Sequence, residues 1–300
     1  MAYNRRYELK ITPLKIVGTS VVEAGAPIII TDPITIHFTV NKMIYAGANC
    51  SASIEIYNLN KSTRDSIFYD WLHINELRKV ELSAGYYNGK FATIYRGVIR
   101  SCRPKKVGVD VIMEIEAESG LFVLDNEISM AFDGGEDSGE IISTLVDKTK
   151  TLQDGAQNIE EKLFPRTVSL LGPAALLLKT YTNEKGFVDD EHYLVLEPND
   201  AVEGSVRVID DSTGLLGVPE RDRTTVKINC MFEPRIKLGE IIQINSRIAP
   251  VFDGQYKVWG ISHSGVIGLS AGGSLTTSLT LFTGEQVFGY FKTNWNTVEG

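Results

Sequence analysis

The sequence predicts a mainly β protein made of two like antiparallel barrels or sandwiches with a small α+β insertion between them. Three observations predict it. Apolar and polar residues alternate with a period of two along most of the chain, two segments switch to helical spacing, and one order of turns and strands occurs twice.

The alternation is clearest where Ile34, Ile36, Phe38 and Val40 interleave with Thr35, His37 and Thr39. Ala52, Ile54 and Ile56 do the same with Ser53, Glu55 and Tyr57, and Val226, Ile228 and Cys230 with Lys227 and Asn229. One-faced burial of this kind belongs to antiparallel sheets. Two segments are helical instead. Residues 62–72 place Ile67, Phe68, Trp71 and Leu72 on one stripe behind a Ser62/Asp65 cap. Residues 137–152 place Ile141, Ile142, Leu145, Val146 and Leu152 on one face, with Asp137 and Glu140 as a capping box and Lys148 and Lys150 near the C-terminus.

The repeat pairs Val80-Glu81-Leu82-Ser83 with Ile242-Gln243-Ile244-Asn245. Each is followed by a turn dipeptide, Asn88-Gly89 or Asp253-Gly254, and then by an aromatic-led strand, Phe91 to Gly97 or Tyr256 to Gly260. An alternating strand closes each copy, from Val109 to Gly120 and from Leu275 to Gly284. Asn-Gly and Asp-Gly are strong hairpin signals because both accept positive φ. The expected units are 1–125, an insertion at 126–200, and 201–300.

Composition narrows the function. With 43% hydrophobic and 23% charged residues, 300 residues can bury a large core. The longest apolar runs, Pro27 to Ile30 and Ala174 to Leu178, are too short to cross a bilayer, so no membrane anchor is expected. No apolar stretch follows Arg5 and Arg6 as a secretory signal requires, so synthesis in the cytoplasm is expected. A net charge of -8 disfavours a protein that grips phosphates.

Chemistry-bearing patterns are weak. Cys50, Cys102 and Cys230 lie far apart and read as small core residues, not as a disulfide or zinc framework. His37, His73, His192 and His263 have no ligand-spaced neighbour. Gly260-Ile261-Ser262-His263-Ser264 misses the Gly-x-Ser-x-Gly elbow and lies in a strand pattern. The acidic groups 133–137, 189–191 and 210–211 read as solvated turns, and the glycines at 265, 268, 272 and 273 as a hairpin loop. No catalytic residue, cofactor or metal site is expected.

Two stretches carry a family resemblance. Ser53 to Ile67, with Tyr57-Asn58-Leu59 and Thr63-Arg64 between a strand and a helix, resembles a segment of the baseplate hub proteins of contractile-tailed bacteriophages. The second runs from Gly217-Val218-Pro219 through Pro234-Arg235-Ile236-Lys237-Leu238-Gly239 and Gly254-Gln255-Tyr256-Lys257-Val258 to His263-Ser264-Gly265, and it is similar to the C-terminal barrel of the same family. The resemblance covers about 34–120 and 205–285 and reaches 121–200 only through order. It implies two tube-type β-barrels per chain and a virion tail location. Three chains are implied to form a pseudo-sixfold ring between the tail tube, or a tube-initiator protein, and the central spike, among other baseplate proteins and with DNA only as passing cargo. The same-class alternative is a tail-like secretion or bacteriocin machine. The alternative from another class is a carbohydrate-binding or hydrolytic tail protein, with Trp71, Trp259 and Trp295 as candidate sugar platforms.

The strand from Val109 sets Val109, Val111, Met113, Ile115 and Ala117 on one face and Asp110, Glu114, Glu116 and Glu118 on the other. Like charges two residues apart repel, so this row needs water or a basic partner. It is a solvated face, a wall of the DNA channel, or a salt-bridged interface with a neighbouring chain, for which Arg96, Arg100, Arg103, Lys105 and Lys106 are nearby candidates.

Overall fold

The computed structural model describes residues 4–17, 20–44, 50–70, 76–120, 127–149, 152–157, 162–196, 201–202, 206–268 and 273–283. The first half holds β1 (Arg5–Val17), β2 (Ser20–Glu23), β3 (Ile28–Thr31), β4 (Ile36–Met43), β5 (Ser51–Tyr57), α1 (Lys61–Ile67), β6 (Glu76–Tyr86), β7 (Phe91–Val107) and β8 (Asp110–Glu118). The insertion holds β9 (Glu127–Phe132), α2 (Ser138–Thr149), β10 (Gln153–Gln157), β11 (Val168–Pro173), α3 (Ala174–Tyr181), β12 (Gly186–Asp189) and β13 (His192–Val195). The second half holds β14 (Arg207–Asp210), β15 (Leu215–Asp222), β16 (Thr225–Met231), β17 (Ile241–Asn245), β18 (Gly254–Ile267) and β19 (Leu275–Phe282).

The two halves share one strand order. In the first it runs β1-β6-β7-β8-β5-β4, and in the second β14-β17-β18-β19-β16-β15. One difference is that β14 lies parallel to β17, whereas β1 and β6 are antiparallel. The halves are not separate sheets. β4 pairs antiparallel with β18, from Ile36 opposite Ile267 to Met43 opposite Gly260, and fuses them into one 14-stranded sheet. The apolar sets of both halves form one core, in which Phe232 packs edge-on against Phe38, Tyr86 and His263.

Local structure departs from the sequence reading at α1, at the β17–β18 connection and at Val109. The N-cap of α1 is Asn60, whose Oδ1 accepts from the Thr63 N–H at 2.8 Å, and the helix ends at Ile67 because Tyr69 turns to bridge Cys102. Trp71 and Leu72 lie outside the described residues. The β17–β18 connection is not a tight Asp-Gly turn. It runs from Ser246 to Asp253 through a 3-10 turn, with Asp253 Oδ1 accepting from the Ser246 N–H at 2.6 Å. Val109 is 95% exposed at the β7–β8 hairpin tip, so the core face of β8 begins further along, at Met113.

The insertion has its own core, with Ile141, Ile142, Leu145 and Val146 of α2 packed on Leu177 and Leu178 of α3 and on Val188, Tyr193 and Val195. The expected capping box is present: the Glu140 N–H donates to Asp137 Oδ1 at 2.8 Å, and the Asp137 N–H to Glu140 Oε2 at 3.5 Å. Asp189, Asp190 and Glu191 are not solvated turn residues. Lys42 Nζ lies 2.8 Å from Asp189 and 2.7 Å from Asp190, Lys79 meets Glu191 at 2.7 Å, and the Arg96 N–H donates to Asp190 Oδ1. The turn therefore docks the insertion onto the sheet. Burial alone would lower the Lys42 pKa, but the two carboxylates outweigh it and hold the ammonium above its ordinary value.

Removing one partner of a buried ion cluster leaves the others uncompensated. Lys42→Met should cost about 3 kcal/mol in urea unfolding and expose the insertion to limited proteolysis. Adding Asp189→Asn and Asp190→Asn should recover part of that loss.

Candidate functional site

One face of the fused sheet is mainly polar across its central strands. Directly opposed residues in antiparallel strands project to the same side, so the pairing registers read out as ladders across it. One ladder runs Asn229, Ser278, Ser262, Asn41, Ser51, Glu118. The next runs Met231, Thr276, Ser264, Thr39, Ser53, Glu116, Ser101. A third runs Val266, His37, Glu55, Glu114, Arg103. Between these positions, Phe38, Val40, Ile54, Ile115, Ile261 and Leu279 point the other way and are buried.

Short polar side chains bond to each other along the ladders. Ser262 Oγ donates to Asn41 Oδ1 at 2.7 Å, Ser278 Oγ donates to Asn229 Oδ1, and Tyr57 Oη donates to Glu55 Oε2 at 3.2 Å beside His37. The face is acidic along β8, rich in Ser, Thr and Asn from β5 across the seam to β16, and carries Lys227 opposite Thr280.

The acidic row lies on this face, and β7 supplies a partner to three of its members. Lys105 reaches Glu114 at 2.6 Å, Ser101 Oγ donates to Glu116 at 3.4 Å, and Arg100 reaches Glu118 at 3.2 Å. Asp110 accepts from Asn58 Nδ2 at 2.8 Å. The sequence reading found the row but not the neutral ladder that continues it, because the continuation depends on the β4–β18 pairing of residues more than two hundred positions apart.

A cavity of about 620 Å³ opens where the β6–β7 hairpin meets the second half, lined by Tyr86, Lys90, Arg207, Thr213, Phe232 and Glu233. Its buried carboxylate, Glu233, is held by Lys90, Arg207 and Arg235. The Lys90 contact joins the halves; the cavity lining offers no nucleophile beside a base. Cys230 borders it, but burial pushes that thiol up to about 12, and burial does the same to Cys50 and Cys102.

Ser262 and His263 do not form a catalytic pair, because consecutive strand residues face opposite ways. Ser262 is on the polar face, whereas His263 is 2% exposed in the core, with Nδ1 2.9 Å from Thr277 Oγ1. Among the described residues no three His, Cys, Asp or Glu side chains converge as a metal site would need. Trp259 packs on Phe282 at 5.1 Å, while Trp71 and Trp295 lie outside the described residues.

The architecture is that of tail proteins. A tail protein from Neisseria meningitidis MC58 superposes with a TM-score of 0.59 at 9% identity, over 92% of this chain and 96% of that one. The 43 kDa tail protein of prophage MuSo2 from Shewanella oneidensis gives 0.54 at 6%, over 90% and 96%. The E. coli c3393 protein, a component of the type VI secretion system, gives 0.56 at 10%, over 87% and 76%. No curated protein sequence matches the chain. A family model described as baseplate hub gp41 matches residues 16–264, and the chain belongs to that family. Its role is structural, in the tail baseplate.

Burial, and then Lys42, hold the His263 pKa near 3, below its ordinary 6.5. The unfolded chain therefore takes up a proton below pH 6.5 that the folded chain refuses until about pH 3. Stability falls with pH in that window and is unaffected by this residue above it. At about pH 4.5 the loss should be roughly 2–3 kcal/mol. Urea midpoints measured across this range should show His263→Gln with a flatter acid limb.

Proposed function

We propose that three copies of this chain form a closed ring in which 1–125 and 201–300 act as alternating tube-type barrels, with 126–200 docked on the ring as an insertion. Two like halves in each of three chains supply the six positions that a sixfold tail tube requires. The ring joins the tube to the central spike of a contractile tail, and genome ejection passes through it. The observation that carries this reading is the continuous polar face, which crosses from one half to the other without a break in register.

On this reading the polar face lines the channel, and Asp110, Glu114, Glu116 and Glu118 form its acidic part. Hydroxyl and amide ladders, with Lys227 of β16 as an exposed cation beside them, give DNA little to bind, and the acidic row repels phosphate. The lysine and arginine beside that row are tied to its carboxylates. Such a wall lets DNA slide without holding it. No step of this role requires covalent chemistry.

Light scattering of the purified chain should give three times its 33.2 kDa mass, and a particle reconstruction should show three copies per hub. Six copies, or one, would sink the ring. Replacing Glu114, Glu116 and Glu118 together by lysine should leave assembly intact but slow DNA release, with short duplex DNA now binding the purified ring at low salt. Unchanged release and no DNA binding would remove this face from the channel.

A further inference from the structure

β7 and β18 are counterparts. Each is the longest strand of its half, and each carries a bulge at the same point of its pairing, between Ile99 and Ser101 or between Val258 and Gly260. Each also overshoots the strand on one edge: β6 stops pairing with β7 at Val98, and β17 stops pairing with β18 at Lys257. On β18 the overhang seats β4. On β7, among the described residues, it carries a bridge from Tyr69 to Cys102, and Arg103 to Val107 are exposed. The counterpart of β4 is β15, whose outer edge pairs with no strand among the described residues. Among the described residues the chain thus contains one closed joint and both edges of a second, which on β7 is open beyond the Tyr69 bridge at Cys102.

We infer that β15 of one copy pairs antiparallel with the β7 overhang of the next, repeating between chains the β4–β18 joint within each. This rests on the ring proposed above and names the surface that closes it. Each edge carries an exposed apolar residue that such a joint would cover, Val107 at 48% and Leu216 at 40%.

The intrachain register can be transferred, because the bulges align Ser101 with Gly260, and the β5 and β16 pairings align Ser53 with Lys227. Val266 opposite His37 then places Val107 opposite Leu216. Ser264 opposite Thr39 places Lys105 opposite Glu220, and Ser262 opposite Asn41 places Arg103 opposite Asp222. All three contacts are complementary, one apolar and two of opposite charge. Lys105 and Arg103 also reach Glu114 and Asp70 within the chain, yet each has further N–H donors to share. The Cys102 N–H and C=O bond to Tyr69 on this edge, so Arg103, Lys105 and Val107 occupy the non-hydrogen-bonded positions, where opposed side chains come closest.

The test is disulfide trapping in the full chain carrying Lys105→Cys with Glu220→Cys; the three native thiols are buried. Mild oxidation should give a reductant-sensitive ladder of linked chains that ends at three. A control with Glu23→Cys and Glu220→Cys, which joins the two ends of the sheet instead, should give none. Light scattering of the unsubstituted chain reads the ring separately. A trimer without the cross-link overturns the edge pairing and leaves the ring standing. A monomer without the cross-link overturns both, and equal linking in the control overturns the register. As a second readout, Lys105→Glu should weaken the trimer about tenfold, and adding Glu220→Lys should restore it. If Lys105→Glu leaves the trimer unchanged, the contact is wrong.

Discussion

The structure depends on the seam between β4 and β18. Along it, the backbone groups of two strands from opposite ends of the chain satisfy each other, and side chains on one side enter the common core while those on the other stay in water. Each half alone would leave the outer edge of β4 or the overhang of β18 unpaired, with its N–H and C=O groups open to any other strand. Joined, the halves need only one core. The register of the seam also decides which side is which. A slip of one residue would drive Asn41, Thr39 and His37 into the core and put Val40 and Phe38 in water. Ile36, Phe38, Val40, Ile261 and Ile267 resist that slip because their burial is lost all at once.

The insertion meets this sheet at the seam itself. Lys42, which pairs with Asp189 and Asp190, is a β4 residue whose seam partner is Ile261. Cys50 Sγ, at the start of β5, lies 3.0 Å from the Val188 carbonyl, and Phe187 joins the main core. A buried ion cluster is weak support for stability but strict about geometry, because each charge has only one arrangement in which it is compensated. Here it orients a subdomain that has its own core and so could otherwise attach at many angles.

Much of this is legible in the sequence, and most of the part that is not has a common cause. Period-two alternation identifies the buried sets of β4, β5 and β16 and most of that of β8, and the capping box places α2. Those signals are local. Apart from the Asp253-Gly254 turn and the exposed tip at Val109, what fails involves contacts between distant segments. The 189–191 acidic turn reads as solvated because its lysines lie on β4 and β6, and the helical spacing after Ser62 overruns α1 because the end of that helix is set by the Tyr69–Cys102 bridge. The acidic row of β8 looks unbalanced because its cations sit on the neighbouring β7, whose register with β8 is shifted by a bulge. For the same reason the polar face is visible in the sequence as fragments and not as a face.

The edges left open by this topology carry the devices that natural sheets use against indiscriminate pairing. β15 has a bulge between Leu216 and Glu220 and contains Pro219, while the β7 overhang contains Pro104, Lys105 and Lys106. Proline removes a donor, and a bulge shifts the pattern of the remaining ones, so a generic strand finds a poor match on either edge. A chain that only avoided aggregation would need nothing more. The charges add a condition that avoidance does not explain: on one side of the sheet they are cations on one edge, at Arg103 and Lys105, and anions on the other, at Glu220 and Asp222, spaced two residues apart on both, with Arg221 pointing to the opposite side. Copies meeting β7 to β7 or β15 to β15 bring like charges together, and a slip of one residue points them to opposite faces. Only a joint that repeats the β4–β18 seam satisfies both pairs, so guarding the edges and selecting their partner are one property of the same few residues.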